Sequence, residues 1–257
     1  MGTFNYPHYP DLKDRTVLIT GGGSGIGAAF VEAFVGQESQ VAFFDIQEES
    51  SLELVRKLAT VNQEPIFVKC DVTDINALKK AVVEVENKLG AVRVLINNAA
   101  SDERHEPEDV TPEYWEQRLR LNLSHHFFAA QAVKPAMAEA GGGAIINMGS
   151  CSWHMAMEFM PGYTSSKAAI EGLTQSLARA YGKEHIRVNC IIPGQVWTPR
   201  QIRDHLTPEY EQFMNEKQCL PGKILPEDIA QLALFLASDA GRMCTRRNYY
   251  MDAGIGA

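Results

Sequence analysis

Two residues near the middle of the chain have the types and spacing of an acid–base pair. Tyr163 and Lys167 are four positions apart in a predicted helix, so their side chains lie on one face. The ordinary pKa of tyrosine is ~10, and a cation one turn away is expected to lower it. Ser150 ends a predicted buried strand just before this helix, and its hydroxyl could hold a reacting oxygen. These three side chains predict proton transfer to or from an alcohol or a carbonyl group, although a Tyr–Lys pair alone is most often structural.

The chain alternates short apolar runs with longer amphipathic stretches. The predicted strands cover residues 16–20, 40–45, 65–70, 93–97, 144–149, 186–193 and 248–252. The predicted helices cover residues 28–36, 48–61, 75–89, 112–139, 162–182 and 226–238. Because several strands are too continuously apolar to face water on one side, the pattern predicts a single doubly wound α/β domain with a parallel sheet between two layers of helices. Residues 194–222 interrupt the alternation and are interpreted as a substrate lid, with a plain surface excursion as the alternative.

The composition argues against several classes of function. The chain has 257 residues and a net charge of −8 with no block of basic residues, so a nucleic acid partner is not expected. No apolar run approaches the ~18 residues of a membrane span. The first ten residues contain no Lys or Arg to begin a signal peptide, so the expectation is a cytoplasmic protein without a membrane partner. The five cysteines lack metal-ligand spacing, and adjacent His125 and His126 do not converge on one ion, so neither a disulfide framework nor a metal site is expected.

A glycine-rich turn connects the first predicted strand to the first predicted helix. Gly21, Gly25 and Gly27 lie just after Thr20, and glycines at such a turn let the backbone approach a pyrophosphate that the helix N-terminus attracts. The spacing does not fit G-x-G-x-x-G, and the lack of Lys and Ser/Thr after Gly27 excludes a P-loop. Asp45 ends the second predicted strand, where a carboxylate can accept hydrogen bonds from a ribose diol. The turn therefore predicts a dinucleotide cofactor, and Asp45 favours NAD over NADP.

Together these motifs resemble those of the short-chain dehydrogenases/reductases over essentially the whole chain. The matching segments are Thr20-Gly21…Gly25-Ile26-Gly27, Asp71-Val72, Asn97-Asn98-Ala99, Asn122, Ser150, Tyr163-x-x-x-Lys167 and Pro193-Gly194 with Val196 and Thr198. The resemblance implies a Rossmann-type fold with a mainly seven-stranded parallel sheet, an NAD cofactor and a homodimer or homotetramer. Two departures are Ala100, where the family usually has glycine, and Arg246, where a glycine is common.

The same resemblance implies a role for each matching residue. Tyr163 is the acid/base, Lys167 lowers its pKa and holds the nicotinamide ribose, Ser150 orients the substrate oxygen, and Asn122 keeps a proton-relay water in place. The implied cofactor contacts come from the glycine turn, the strand ends, the catalytic helix and the loop over the nicotinamide: Gly21, Ser24, Gly25, Ile26, Gly27, Asp45, Asp71, Val72, Asn98, Ala99, Tyr163, Lys167, Pro193, Gly194, Val196 and Thr198.

Shorter segments resemble one branch of that family, the bacterial NAD-dependent aldose 1-dehydrogenases of D-xylose and L-arabinose type. These segments are residues 97–105, 152–154 and 244–254. Indole rings offer flat apolar faces to a sugar, and His or Gln side chains can bond its hydroxyls. The predicted substrate contacts are therefore Ser150, Tyr163, Trp153, His154, Gln195, Trp197, Arg200 and His105. The alternatives are that Trp153 is a core residue and His105 a solvated loop residue.

The predicted reaction is oxidation of a pentose such as D-xylose or L-arabinose at C1, with hydride passing to NAD and a lactone as product. Three alternatives stay open. The first is another secondary alcohol: a hydroxysteroid, a 3-hydroxyacyl compound, or a sugar acid gripped by Arg200, Arg246 and Arg247. The second, a nucleotide-binding sensor without turnover, is disfavoured by the complete catalytic set. The third, a structural oligomer component, is disfavoured by the nucleotide loop.

Overall fold

The computed structural model describes residues 6–59, 64–205 and 207–256. Its strands are β1 (Thr16–Thr20), β2 (Gln40–Asp45), β3 (Ile66–Lys69), β4 (Val94–Asn97), β5 (Gly143–Met148), β6 (Ile186–Pro193) and β7 (Asn248–Met251). They form one seven-stranded sheet in the order β3-β2-β1-β4-β5-β6-β7. Every neighbouring pair is parallel. The predicted α/β fold with a doubly wound parallel sheet is confirmed.

Helices connect successive strands and cover the sheet. They are α1 (Gly25–Gly36), α2 (Glu48–Leu58), α3 (Ile75–Leu89), α4 (Pro112–Leu119), α5 (His125–Glu139), α6 (Pro161–Tyr181), α7 (Pro199–His205), α8 (Pro208–Lys217) and α9 (Pro226–Ala237). Several begin with proline, whose fixed φ suits the first helical turn and whose missing N–H is not needed there. The threonines before α4 and α8 each accept a hydrogen bond from the backbone of the first turn, which fixes where these two helices start.

Several predicted boundaries differ from the observed ones. The single helix predicted over 112–139 is divided by a π-helical turn, Arg120–Ser124, which separates α4 from α5. The interruption at 194–222 contains the two short helices α7 and α8. The third strand is shorter by one residue at each end than predicted. The predicted end of the second helix, residues 60 and 61, lies outside the described residues.

The core lies on both faces of the sheet because side chains alternate along each strand. In β1, Val17 and Ile19 pack into the apolar cluster beneath α1 and α9, whereas Leu18 packs into the cluster beneath α3 and α5. All three side chains are fully buried. Burying an aliphatic side chain of this size contributes ~1.5–3 kcal/mol, so β1 is anchored from both sides. The glycine turn that follows it therefore starts from a rigid position.

The strand order reverses between β1 and β4, and parallel strands open a crevice beyond their carboxyl ends at such a point. Thr20, Asp45, Asn97, Met148 and Pro193 all end their strands at this edge. The fold thus brings the glycine turn, the acid after β2 and the serine after β5 to one place. Across the described ranges, no helix has the length and apolarity to span a bilayer.

Candidate active site

The turn between β1 and α1 has a backbone that strongly favours glycine. Gly21 and Gly25 have φ values of +66° and +55°, a region that side chains disfavour. A Cβ at Gly27 would lie 1.8 Å from the Gly21 carbonyl oxygen. The Asn98 Nδ2 donates hydrogen bonds to the carbonyl oxygens of Thr20 at 3.1 Å and Gly21 at 2.9 Å. The turn is therefore held by the loop after β4 and leaves room for a ligand at the start of α1.

Asp45 lies beside this turn with its carboxylate held in place. Its Oδ2 accepts a hydrogen bond from the Gly23 amide at 2.8 Å, and its Oδ1 accepts one from the Gln47 amide at 2.9 Å. A carboxylate has about four acceptor positions. The positions left over are available to a ribose diol, since Asp45 lines the cleft at the sheet edge.

This cleft, the cofactor cleft, has a volume of about 650 Å³. The predicted cofactor residues that line it are Gly21, Ser24, Gly25, Ile26, Gly27, Asp45, Asp71, Val72, Asn98, Ala99 and Thr198. Pro193, Gly194 and Val196 instead line the adjoining cleft. The two clefts share Ile26, Asn98, Ala100, Thr198 and Arg200. A long ligand in the first cleft would therefore reach the second.

Two of the predicted catalytic side chains meet in the second cleft, the substrate cleft, and Lys167 is buried beside one of them without lining either cleft. Ser150 and Tyr163 line it. Lys167 is 2% exposed, and its Nζ donates a hydrogen bond to the Met148 carbonyl oxygen at 2.7 Å. The same Nζ lies 5.4 Å from the centroid of the Tyr163 ring. An ammonium group has three donors, so the Met148 contact leaves others for a ligand.

The rest of the substrate cleft is lined by both apolar and polar side chains. Its volume is about 210 Å³. The apolar lining residues include five methionines: Met148, Met155, Met157, Met160 and Met214. The polar lining residues include Asp102, Gln195, Arg200, Gln201 and Tyr210, several of them from α7 and α8. The 194–222 segment therefore forms part of the cleft wall.

Comparison with known proteins decides the family. The model of a family described as "Enoyl-(Acyl carrier protein) reductase" matches residues 21–256. The chain belongs to the short-chain dehydrogenase/reductase family. It is an oxidoreductase, and the predicted membership is confirmed. The residues of the cofactor cleft fit the nicotinamide dinucleotide that this family binds, because the glycine turn at the N-terminus of α1 and the Asp45 carboxylate line the same cleft.

Two curated relatives within this family are sugar dehydrogenases by name. The D-xylose 1-dehydrogenase of Caulobacter vibrioides (strain NA1000 / CB15N) is 47% identical over 246 residues, which cover 96% of this chain and 97% of that protein. The "Probable galactose dehydrogenase GalD" of Rhizobium meliloti (strain 1021) is 48% identical over 248 residues, with 96% and 97% covered. Among solved structures, a blue fluorescent protein from a metagenomic library in complex with NADPH has a TM-score of 0.88 and 30% identity, covering 96% of this chain and 100% of that one.

The electrostatics of Tyr163 correct one prediction. Burial raises the pKa of the Tyr163 phenol well above its ordinary value, and a hydrogen bond from the Ser150 hydroxyl lowers it by less. Burial also lowers the pKa of Lys167 from its ordinary value to about 8. The expected lowering of the tyrosine pKa by the lysine is therefore wrong for the protein alone. Burial is the largest cause because removing water disfavours the charged phenolate, and it outweighs the groups that lower the pKa.

Asn122 occupies the π-helical turn and is fully buried. Its Oδ1 accepts a hydrogen bond from the Ser101 amide at 2.8 Å, and its Nδ2 donates one to the Ser101 carbonyl at 3.1 Å. The amide group is therefore committed to the loop after β4. The predicted part of Asn122 in a proton relay stays a prediction. The contacts seen in the structure position the loop after β4.

Trp153 and His154 do not line the substrate cleft. Both turn towards Glu171 on α6: the Trp153 Nε1 donates to its Oε1 at 2.9 Å, and the His154 Nε2 lies 3.2 Å from the same oxygen. Tyr250 in β7 lies against the other side of His154, with its hydroxyl 3.2 Å from Nε2. The Trp153 side chain is 36% exposed. These residues tie the loop after Ser150 to α6 and β7, so their predicted sugar contacts are not supported.

Trp197 and His105 are also outside the cleft lining. Trp197 is 4% exposed and packs near Tyr210, with the Lys223 ammonium over its ring. The Nδ1 of His105 lies 3.0 Å from the Tyr114 hydroxyl, which anchors the loop after β4 to α4. Of the residues predicted from the aldose resemblance, Gln195 and Arg200 do line the cleft.

Several cleft residues were not predicted. They are Asp102, Arg104, Gln201, Tyr210, Cys151, Ser152 and the methionines. No local sequence pattern marks the polar residues of this set as site residues. The methionines were not predicted because methionines in a sequence are usually core residues. Asp102 lies within residues 97–105, which resemble the aldose 1-dehydrogenases. Its position in the loop after a strand that carries cofactor residues could have indicated a role in binding.

Arg246 and Arg247 lie far from the substrate cleft. They precede β7 and so sit at the amino end of the sheet, opposite the edge that carries Ser150. The Arg246 amide donates to the Val188 carbonyl oxygen, and the Arg247 amide donates to Asn189 Oδ1. Arg246 has a φ of +62°, which accounts for the glycine common at this position in the family. Neither residue can grip a substrate carboxylate at Tyr163.

His125 and His126 are fully buried at the start of α5, with ring centroids 4.4 Å apart. Burial lowers the pKa of His125 to about 3, and the charge of Lys167 adds to the effect. Burial also holds the pKa of His126 well below its ordinary value. Among the described residues, no group of three or more His, Cys, Asp or Glu side chains could hold a metal ion. The pair is therefore a neutral part of the core.

The buried histidines should make the protein less stable in mild acid. The unfolded chain binds protons at these histidines below pH ~6.5 while the folded chain does not, so stability is present above that pH and is lost as pH falls towards 3. From His125 alone, the free energy of unfolding should fall by ~2 kcal/mol between pH 7 and 5. Urea unfolding at both pH values measures this. His125→Leu should reduce the loss, exposed His8→Leu should not, and a wild-type stability that is flat with pH would contradict the assignment.

Proposed function

We propose that the chain oxidises an aldose, a pentose such as D-xylose or L-arabinose, at C1 with NAD and gives the aldonolactone. The observation that carries the proposal is a small cleft lined by Ser150, Tyr163, several polar side chains and five methionine thioethers. A sugar ring has hydroxyl edges and apolar C–H faces, so it matches such a cleft. The names of the two curated relatives support the same substrate class.

The size of the cleft disfavours larger alcohols. At about 210 Å³ it lies below the ~300–1,000 Å³ of pockets for drug-sized ligands. A monosaccharide fits this volume better than a steroid or a long acyl thioester. Among the alternative substrates, a sugar acid fits better than a steroid or a thioester, because Arg104 lines the cleft and could pair with its carboxylate. Arg200 is less available for such a pairing, since it already pairs with Asp102 at 2.5 Å.

In this mechanism Tyr163 takes the proton of the C1 hydroxyl and Ser150 holds the oxygen. When bound, the nicotinamide group accepts the hydride from C1. Tyr163 can take this proton only as a phenolate, so it must first lose its own proton to solvent. Because burial raises the pKa of Tyr163, the phenolate needs the Lys167 ammonium to stabilise it until it accepts the substrate proton and becomes a phenol again. The Met148 carbonyl fixes this ammonium. Oxidation is therefore expected to accelerate as pH rises, since the proton acceptor is the deprotonated phenol.

A substrate panel tests the proposal. Purified protein is mixed with NAD and one of D-xylose, L-arabinose, D-galactose, D-glucose, D-galacturonate, a hydroxysteroid or a 3-hydroxyacyl thioester, and the absorbance of reduced nicotinamide is followed. Turnover of a free aldose with the highest kcat/KM supports the proposal. D-Galactose is included because it has the ring configuration of L-arabinose at C2 to C4 and because of the second relative's name. Turnover of only the steroid, the thioester or the sugar acid would overturn it.

The cofactor preference is a further prediction, since one structural neighbour holds NADPH. A 2′-phosphate beside Asp45 would place like charges together, and residues 22–24 and 46–47 offer no Arg or Lys to compensate. Arg200 and Arg203 also line the cofactor cleft. Both arginines follow β6, which lies four strand spacings, or ~19 Å, from β2 in the sheet. We therefore expect them to lie near the nicotinamide end of the dinucleotide and not near the 2′-phosphate beside Asp45.

We therefore expect kcat/KM with NAD to exceed that with NADP by roughly 10- to 100-fold. Asp45→Ala should narrow this ratio by weakening use of NAD and relieving the repulsion of NADP. Glu49→Ala removes an exposed carboxylate from the first turn of the neighbouring helix α2 and should leave the ratio unchanged. Equal kcat/KM values of the wild type with NAD and NADP would show that Asp45 does not determine the cofactor preference.

The family resemblance also implies a homodimer or homotetramer, which we include in the proposal. Size-exclusion chromatography with light scattering gives the mass in solution, and a monomer would contradict this part.

A further inference from the structure

One wall of the substrate cleft is a chain of hydrogen bonds that ends on a carboxylate. The Tyr210 hydroxyl donates to Gln195 Oε1 at 3.1 Å, the Gln195 Nε2 donates to Gln201 Oε1 at 3.3 Å, and the Gln201 Nε2 donates to Asp102 Oδ2 at 2.9 Å. All four residues line the cleft, and we call them the polar wall. Each bond points in the same direction, so Asp102 is the acceptor at the end of the chain.

The Asp102 carboxylate is ionised and held from two sides. Its other oxygen, Oδ1, accepts a hydrogen bond from the Arg200 Nη2 at 2.5 Å. Burial works against ionisation, but the hydrogen bonds and charge from Arg200 and the bond from Gln201 hold the pKa of Asp102 below its usual range. The side chain is 23% exposed. A partly buried carboxylate in this position is a strong acceptor that keeps its charge at neutral pH.

This carboxylate has unused capacity towards the cleft. A carboxylate offers about four acceptor positions, and the bonds from Arg200 and Gln201 occupy two of them. Asp102 is the one acidic side chain among the described residues that line the substrate cleft. The methionines of the cleft can cover the C–H face of a ring but accept hydrogen bonds poorly. Hydroxyl donors of a substrate would therefore find their best acceptor at Asp102.

We infer that Asp102 recognises the non-reacting hydroxyl groups of the substrate, accepting hydrogen bonds from two neighbouring hydroxyls while Arg200 and Gln201 hold the carboxylate in place. The geometry suits this role, because two adjacent oxygens of a carboxylate match two adjacent hydroxyls on a ring. The inference rests on the proposed aldose oxidation and adds the residue that selects a polyol over an apolar alcohol.

The competing explanation is that Asp102 only latches α7 over the clefts. Its partners Arg200 and Gln201 both belong to α7, and Arg200 lines both clefts. A latch would act on every substrate and on the cofactor alike. A recognition residue would act on the sugar alone, and only on sugars that carry the contacted hydroxyls.

The first measurement compares wild-type protein with Asp102→Asn, which keeps the shape and removes the charge. With the best aldose of the panel, we expect KM for the sugar to rise roughly 10- to 100-fold, while KM for NAD stays within about threefold. Glu103→Gln is the matched control: it neutralises the next acid in the same loop, which pairs with Arg118 and does not line the cleft. The control should leave both KM values unchanged.

The second measurement uses the monodeoxy analogues of that aldose. For each of the two analogues that lack one contacted hydroxyl, the ratio of KM between Asp102→Asn and wild type should fall to roughly 3- to 10-fold, because one of the two hydrogen bonds is then absent from both proteins. For the other analogues the ratio should stay high. A ratio equal for all analogues, or a KM for NAD that rises with that for the sugar, would overturn recognition in favour of the latch. Wild-type protein that oxidises no aldose would overturn the proposed function, and this inference with it.

Discussion

Replacing Tyr163 with phenylalanine is expected to lower kcat for aldose oxidation by at least ~10²–10⁴-fold, while the Kd for NAD stays within about threefold. The hydroxyl is the group that exchanges the proton with the substrate, so its loss acts on the transition state. The ring itself remains against the Lys167 ammonium, 5.4 Å from its centroid. Steady-state kinetics and a fluorescence titration with NADH separate the two effects.

The same substitution at Tyr181 is the control for the Tyr163 variant. Tyr181 ends the same helix α6, lines neither cleft and packs against the core cluster beneath α3 and α5, so Tyr181→Phe should keep kcat. Near-normal turnover by Tyr163→Phe would show that Tyr163 is not the acid/base of the reaction. A parallel loss of NAD binding would instead indicate that the phenol shapes the cofactor cleft.

Gly27→Ala is expected to weaken NAD binding at least ~100-fold, because a shift of the order of 1 Å in a binding loop can cost that much. The added Cβ would lie 1.8 Å from the Gly21 carbonyl oxygen and 2.9 Å from the Asn98 Nδ2. Both belong to the structure that holds the turn, so the turn has to move. The free energy of unfolding should also fall by ~1–3 kcal/mol, as for other overpacked sites.

Gly36→Ala provides the matched control for that prediction. Gly36 is the last residue of the same helix α1, and nothing lies within 4 Å of the position its Cβ would take. Because alanine favours the helix over glycine, this variant should be neutral or up to ~1 kcal/mol more stable, with NAD binding unchanged. Urea unfolding and NADH titration of both variants make the comparison. Wild-type affinity in Gly27→Ala would show that the turn does not contact the cofactor.

The sequence predicted the features that depend on local pattern. Apolar runs identified seven strands at nearly their observed positions, because a strand buried on both faces needs continuous apolar residues. The division of the predicted 112–139 helix was missed, since a π-helical turn changes the backbone hydrogen bonds without breaking the apolar period. The helices α7 and α8 were missed because each is short and polar.

Tertiary contacts decide which of the predicted substrate residues line the cleft and which do not. Trp153 and His154 follow Ser150 directly, and proximity in the chain placed them at the cleft. The loop after Ser150 instead folds them against Glu171, which pairs with both. Asp102 and Arg200 meet although they are 98 residues apart. A pairing between distant loops leaves no periodic signal in a single sequence.

The sequence by itself determined the fold class, the family and the Ser150, Tyr163 and Lys167 set, because these depend on residue type and on spacing along one strand or helix. Only the tertiary structure decided which side chains line the substrate cleft and what the protein does to the tyrosine pKa. The sequence pattern places a cation one turn from Tyr163, but burial is a property of everything packed around the phenol. Burial raises the pKa of Tyr163 and lowers that of Lys167, because the charged forms of both groups lose water when the sheet, α6 and the loops close around them.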